Sequence, residues 1–161
     1  MSEYIYKQLG ELVTFQRGKD LPRTSMKNGP YPVIGSNGII GYHNDFNVQS
    51  PCITVGRSGN VGKPYLHLGE DWAHNTCLYV KEFKGCDPLF IYYLLKTLNL
   101  ERQAGGSAVP TLNRNHIHPL IVKVPKSIEA QKYIATVLFG FDQLISLNSR
   151  TNDNLVAQVS C

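Results

Sequence analysis

Residues 31–80, YPVIGSNGIIGYHNDFNVQSPCITVGRSGNVGKPYLHLGEDWAHNTCLYV, alternate strand-length apolar pieces with glycine-bearing breaks. The pieces YPVIG (31–35), GIIGYH (38–43), CITVG (52–56), GKPYLHL (62–68) and NTCLYV (75–80) are rich in β-branched and aromatic residues. Such side chains suit a pleated, half-buried surface. The breaks SNG (36–38), RSGN (57–60) and GEDW (69–72) carry turn chemistry: glycine reaches positive φ, and Asn, Asp and Ser bond to their own backbone. No break has room for the helical crossover that joins parallel strands. The stretch therefore predicts an α+β fold whose β-rich part is mostly antiparallel and barrel-like, with helices packed on it.

Upstream, YIYKQLGELVTF (4–15) places Ile5, Leu9, Leu12 and Val13 at roughly helical spacing, which predicts a helix weakened at Gly10. A polar loop, QRGKDLPRTSMKNGP (16–30), follows with Arg17, Lys19, Arg23 and Lys27. Downstream, Asp87-Pro88 reads as an N-cap with proline in the first helical position. The segment LFIYYLLKTLNLERQ (89–103) is apolar almost all round and predicts one helix against the sheet, ended by Gly105-Gly106. After it, GGSAVPTLNRNHIHPLIVKVP (105–125) reads as a glycine-serine loop, a basic turn and a short strand closed by Pro125. Ser127 then caps a last helix, with Glu129 favourably placed in its first turn.

That last helix carries a seam. Ile134, Leu138, Phe141, Ile145, Asn148, Asn152, Leu155 and Val159 recur at alternating steps of four and three. This is the spacing of a helix that packs on another helix, and the two asparagines trade packing strength for register. The sequence thus divides into a sheet-rich head, 1–126, and a coiled-coil-type helix, 127–161.

Composition excludes several classes. With 161 residues, 42% of them apolar and 10% aromatic, the chain can bury a core, so a disordered tail is excluded. Sixteen Lys and Arg against twelve Asp and Glu give +4, a mild lean toward polyanions. No apolar run reaches the roughly 20 residues of a membrane span, and the first residues lack a secretory pattern. Cysteines 52, 77, 86 and 161 form no CxxC pair, so neither zinc nor disulfides are expected and the compartment reads as cytoplasmic.

Catalytic motifs fail in turn. GRSGNVGKP (56–64) puts five residues between Gly56 and Gly62, with Pro64 where a P-loop needs a hydroxyl. His74 and Asp71 are badly spaced to face one another on a strand. His116 and His118, expected to share a strand face, lack a third metal ligand. NGPY (28–31) is similar to the adenine-methyltransferase tetrapeptide but has one proline and no cofactor-binding glycines beside it. No serine or cysteine nucleophile sits in a strand-turn-helix elbow. A non-enzymatic chain without cofactor is expected.

Five stretches in this order, YKQLGELVTFQRGK (6–19), YPVIGSNGIIGYH (31–43), CITVGRSGNVGK (52–63), WAHNTCLYV (72–80) and GGSAVPTLNRNHIHPLIVKVPKSIEAQKYIATVLFGFDQLISLN (105–148), resemble half of a specificity subunit of type I restriction–modification systems. VKVP and EAQKYIA stand where that family shows a strand end and a Glu-Gln helix start, with KSIEAQ departing from the usual proline-bearing pattern. The resemblance implies that the head is a target recognition domain reading half of a bipartite site in double-stranded DNA. It implies that the helix from Ser127 is a spacer packed antiparallel on its counterpart. Methyltransferase and restriction subunits would be partners, and the chain a half-subunit or truncated form that dimerises or pairs with another specificity subunit.

On that reading Arg17, Lys19, Arg23, Lys27 and Lys63 contact phosphates. Arg57 reads guanine, Asn37, Asn60, Asn75 and Asn113 read adenine, and Arg114, Ser107 and Thr111 complete the base contacts. The alternative from another class is a β-rich module that binds carbohydrate or protein through its tyrosines and oligomerises by its helix.

Overall fold

The computed structural model describes residues 3–105 and 110–159. The chain runs β1 (Tyr4–Gln8), α1 (Leu9–Leu12), β2 (Thr14–Arg17), β3 (Tyr31–Gly35), β4 (Gly38–His43), β5 (Cys52–Gly56), β6 (Pro64–His67), β7 (Trp72–Ala73), β8 (Cys77–Glu82), α2 (Pro88–Thr97), α3 (Arg114–Ile117), β9 (Ile121–Pro125) and α4 (Ile128–Val159). All five pieces between 31 and 80 contain strands, and every pairing is antiparallel except that of β3 with the short β7. The expected barrel does not close among the described residues. Instead there are three sheets, ordered β1-β9, β2-β8-β5-β6 and β4-β3-β7. A barrel closes only when its strands form one continuous ladder, and here β1-β9 and β4-β3-β7 pair apart from the four-stranded sheet. The edge strand β6 is blunted by Pro64 at its start.

Two local expectations are corrected. Residues 4–15 form strand, one helical turn and strand rather than a helix, because β1 pairs with the distant β9, Tyr4 opposite Pro125 and Gln8 opposite Ile121. Only 9–12 keep helical form, with Glu11 accepting from the Gln8 N–H at 2.7 Å. The single helix over 89–103 breaks at Leu98, where Asn99 enters the left-handed region at φ 45° and a separate 3₁₀ turn, Leu100–Gln103, follows. Asparagine tolerates that conformation.

The caps form as the residues suggest. Asp87 accepts from the Phe90 N–H at 2.8 Å, and Ser127 accepts from the Ala130 N–H at 3.3 Å. The main core joins Phe15, Ile53, Val55 and Leu78 of the four-stranded sheet to Ile91 and Leu95 of α2, and to Val122, Val124 and Ala135. Near the root of α4, Gln131 is 5% exposed; it accepts from the Asp87 N–H and donates to the Pro125 carbonyl, both at 3.1 Å. Farther along, Tyr93 of α2 donates to Asp142 at 2.9 Å. Head and helix root are thus tied by buried polar bonds as well as apolar contact. No helix among the described residues is long and apolar enough to cross a membrane.

Candidate nucleic-acid interface

The β2 end, the turn after β5 and the start of α3 meet at one cleft of about 510 Å³. Arg17, Arg57 and Arg114 line it with Gln16, Gly18, Leu78, Leu112 and Asn113, and no carboxylate stands among these residues. Three guanidiniums on one unneutralised concavity attract anions or the acceptor-rich edge of a base.

The short segment His74–Thr76 positions two of them. Arg17 donates through Nε to the Asn75 carbonyl at 3.3 Å. The Arg57 N–H donates to the Thr76 carbonyl at 2.8 Å, while the Arg57 carbonyl accepts from the Leu112 N–H at 2.8 Å. Close approach demands glycine on both sides of this hub. A Cβ on Gly18 would overlap the His74 carbonyl, and one on Gly56 would overlap the Asn60 carbonyl. Burial, then the neighbouring Arg17 charge, lowers the Arg57 pKa from its ordinary value. The direction reflects a guanidinium partly desolvated beside another cation.

A second cleft, of about 680 Å³, lies on the other side of the same turn and is lined by Gly59, Asn60, Val61, Lys63, Glu101, Ala104 and Pro110. The anticipated contact residues divide accordingly. Arg17, Arg57, Asn113 and Arg114 share the first cleft, and Asn60 and Lys63 the second. Thr111 exchanges two backbone bonds with Gly105 at 2.9 and 3.1 Å. Asn37 is exposed in the β3–β4 turn, whose Ser36 neighbours Gly59.

Arg23, Lys27 and Lys19 line neither cleft. The first two lie in the loop before β3, where the Lys27 N–H donates to His43 at 3.1 Å; Lys19 is bound through its backbone to Ala73 at 2.9 Å. The Asn75 amide donates to the Asp20 carboxylate at 2.6 Å, an exposed side-chain pair, and Asn113 accepts from the Asn115 N–H at 3.0 Å as the cap of α3, so it is occupied in holding backbone. Ser107 lies outside the described residues.

The histidine readings resolve locally. His74 lies 3.6 Å from Asp20, whereas buried Asp71 pairs with His67 at 2.9 Å, so His74 and Asp71 form no pair. Desolvation chiefly raises the Asp71 pKa. His116 and His118 sit on the α3 turn rather than on a strand; His118 accepts from the Phe15 N–H at 3.1 Å, and His116 faces the Gln103 carbonyl at 3.3 Å. Gln16 and Thr76 were missed by sequence reasoning. Strand alternation from Phe15 would have exposed Gln16 had 14–17 been read as β.

Beyond the head, the seam faces solvent over most of its length. Leu138, Phe141, Ile145 and Leu155 are 38%, 58%, 65% and 54% exposed, Asn148 and Asn152 are exposed, and only Ile134 packs on the core. The side chain of Val159 lies outside the described residues. The face turned to the head is instead that of Gln131, Ala135 and Asp142.

The family model described as "Type I restriction modification DNA specificity domain" matches residues 1–157. The Type I restriction enzyme EcoprrI specificity subunit of Escherichia coli is 30% identical over 144 residues, 86% of this chain and 36% of that protein. A putative type I specificity subunit of Mycoplasma pneumoniae is 27% identical over 94% of this chain and 44% of its own length. The chain therefore spans less than half the length of these relatives. Among solved structures, a type I restriction–modification S subunit from M. genitalium superposes with a TM-score of 0.77 at 22% identity, covering 92% of this chain and 41% of that one. The HsdS subunit from Thermoanaerobacter tengcongensis gives 0.66 at 12% identity, covering 92% and 39%. With the family model matched along nearly its whole length, the chain belongs to the type I restriction–modification DNA specificity domain family.

Proposed function

We propose that residues 1–126 recognise one half of a bipartite site in double-stranded DNA, and that the helix over 127–161 pairs with a second helix to set the distance between half-sites. The observation that carries the reading is the cleft of Arg17, Arg57 and Arg114, which no carboxylate neutralises among its lining residues. Arg57 is the base reader. Its backbone is bonded on both sides, which fixes the point from which its fork reaches a guanine edge. Arg17, steadied through Nε, supports it, and the exposed Arg114 takes a phosphate. Asn60 and Lys63 serve the flanking cleft. In this reading the chain performs no chemistry; methyltransferase and restriction subunits act on the DNA that it selects.

The exposed run Leu138, Phe141 and Ile145 supports helix pairing, since such an apolar stripe is covered in a stable assembly. The partner is a second copy or the equivalent helix of another specificity subunit.

The test is selection from a pool of randomised duplexes at low salt, with wild-type and Arg57→Ala chains. The expected result is a wild-type preference at several positions and loss of one of them in the variant, costing about 1–3 kcal/mol. Equal weakening on every duplex would make Arg57 a phosphate contact, and a wild-type chain with no preference would remove the reading.

A further inference from the structure

Gln16 occupies the same cleft as the three guanidiniums, and the reading above gives it no role. Phe15 is wholly buried, so strand alternation turns Gln16 to the opposite side of β2, where it is half-buried on the cleft wall. Its backbone stands in register with Tyr79 of β8, one step from Arg17 opposite Leu78. Both chain neighbours are tied down, Phe15 to His118 through its N–H and Arg17 to the Asn75 carbonyl through Nε. Between them the Gln16 amide enters no hydrogen bond among the described residues. A half-buried carboxamide on a paired strand, unbonded among the described residues and lining the same cleft as three arginines, is open to an external partner with one donor and one acceptor.

We propose that Gln16 is a specificity-determining residue that reads an adenine next to the base taken by Arg57, an inference that rests on the DNA-reading assignment of this cleft. The carboxamide offers an acceptor oxygen and a donor nitrogen side by side, matching the N6 donor and N7 acceptor on the major-groove edge of adenine. Arginine lacks an acceptor, so none of the three guanidiniums can make that pair. The cleft thus reads a mixed step, guanine by Arg57 and adenine by Gln16.

The experiment selects sequences from a randomised duplex pool with the wild-type chain, Gln16→Ala, Gln16→Glu and Arg57→Ala, with urea midpoints measured to show that each variant is folded. Gln16→Ala is expected to lose an adenine preference of about tenfold or more at one position and to keep the guanine position. Arg57→Ala is expected to do the converse. Gln16→Glu, which can only accept, is expected to shift the same position toward cytosine. The proposal is overturned if folded Gln16→Ala selects the wild-type sequences, or if it weakens on all duplexes by one factor. A wild-type chain that selects nothing overturns the DNA-reading assignment itself, a distinct result, and Gln16 falls with it.

Discussion

Single side chains in this head act mostly by holding backbone, and His118 is the clearest case. It accepts from the Phe15 N–H and stacks on the Phe15 ring at a centroid distance of 5.9 Å. Burial first, then the charges of Lys84 and Arg114, lowers its pKa from the ordinary 6.5. The folded protein therefore binds the proton less well than the unfolded chain. The contribution to stability is complete above the unfolded value and is lost as pH falls through the folded one. Denaturant unfolding between about pH 7.5 and about pH 5.5 should show this acid loss in the wild type and a flatter profile in His118→Gln, which keeps an acceptor without titrating. Parallel profiles would refute it. Asp71, raised chiefly by desolvation, works in the opposite sense at lower pH but is common to both proteins. None of this was legible in the sequence, where His118 reads as one of two imidazoles on a shared strand face. Its partner lies 103 residues away.

Elements show where periodicity suffices and where it fails. The strands between 31 and 80 were legible because glycine punctuation and β-branched content agree. The 4–15 stretch was misread because its apolar spacing satisfies a helix, while pairing of β1 with β9 supplies a ladder that no local pattern announces. Helix α4 was legible in extent from its cap and heptads. Its inward face was not, because Gln131 and Asp142 reach the head by polar bonds. Gln131→Ala strands the Asp87 N–H and the Pro125 carbonyl in a buried place and should cost about 1–3 kcal/mol of unfolding free energy, measured in urea. On the exposed face, Phe141→Glu with Ile145→Glu should leave the unfolding free energy of the dissociated chain, measured at high dilution, within a few tenths of a kcal/mol, as surface changes do. The same pair should lower the molar mass in solution if the stripe pairs with a second copy. An unchanged mass with retained assembly would place the contact elsewhere.

At the scale of the molecule, a net charge of +4 is too small to bind duplex strongly by itself, so the distribution decides. Three arginines gather in one cleft, whereas Lys19, Arg23 and Lys27 stand away from it. Affinity for duplex should therefore fall with salt, and Arg114→Ala should reduce the slope of log K against log salt by about one, weakening all sequences alike. A change of sequence preference in that variant would make Arg114 a base reader instead. Composition, turn chemistry and heptad spacing by themselves determined that the chain is α+β, that its sheets are mostly antiparallel and that a long helix follows from Ser127, because those are properties of neighbouring residues. Only the tertiary structure decided that the sheets stay open, and that Gln16, Arg17, Arg57 and Arg114 share a wall while Asn75 is spent on Asp20. A binding surface collects residues from distant segments, and their convergence is fixed by strand pairing and by buried backbone hydrogen bonds that leave no trace in local sequence.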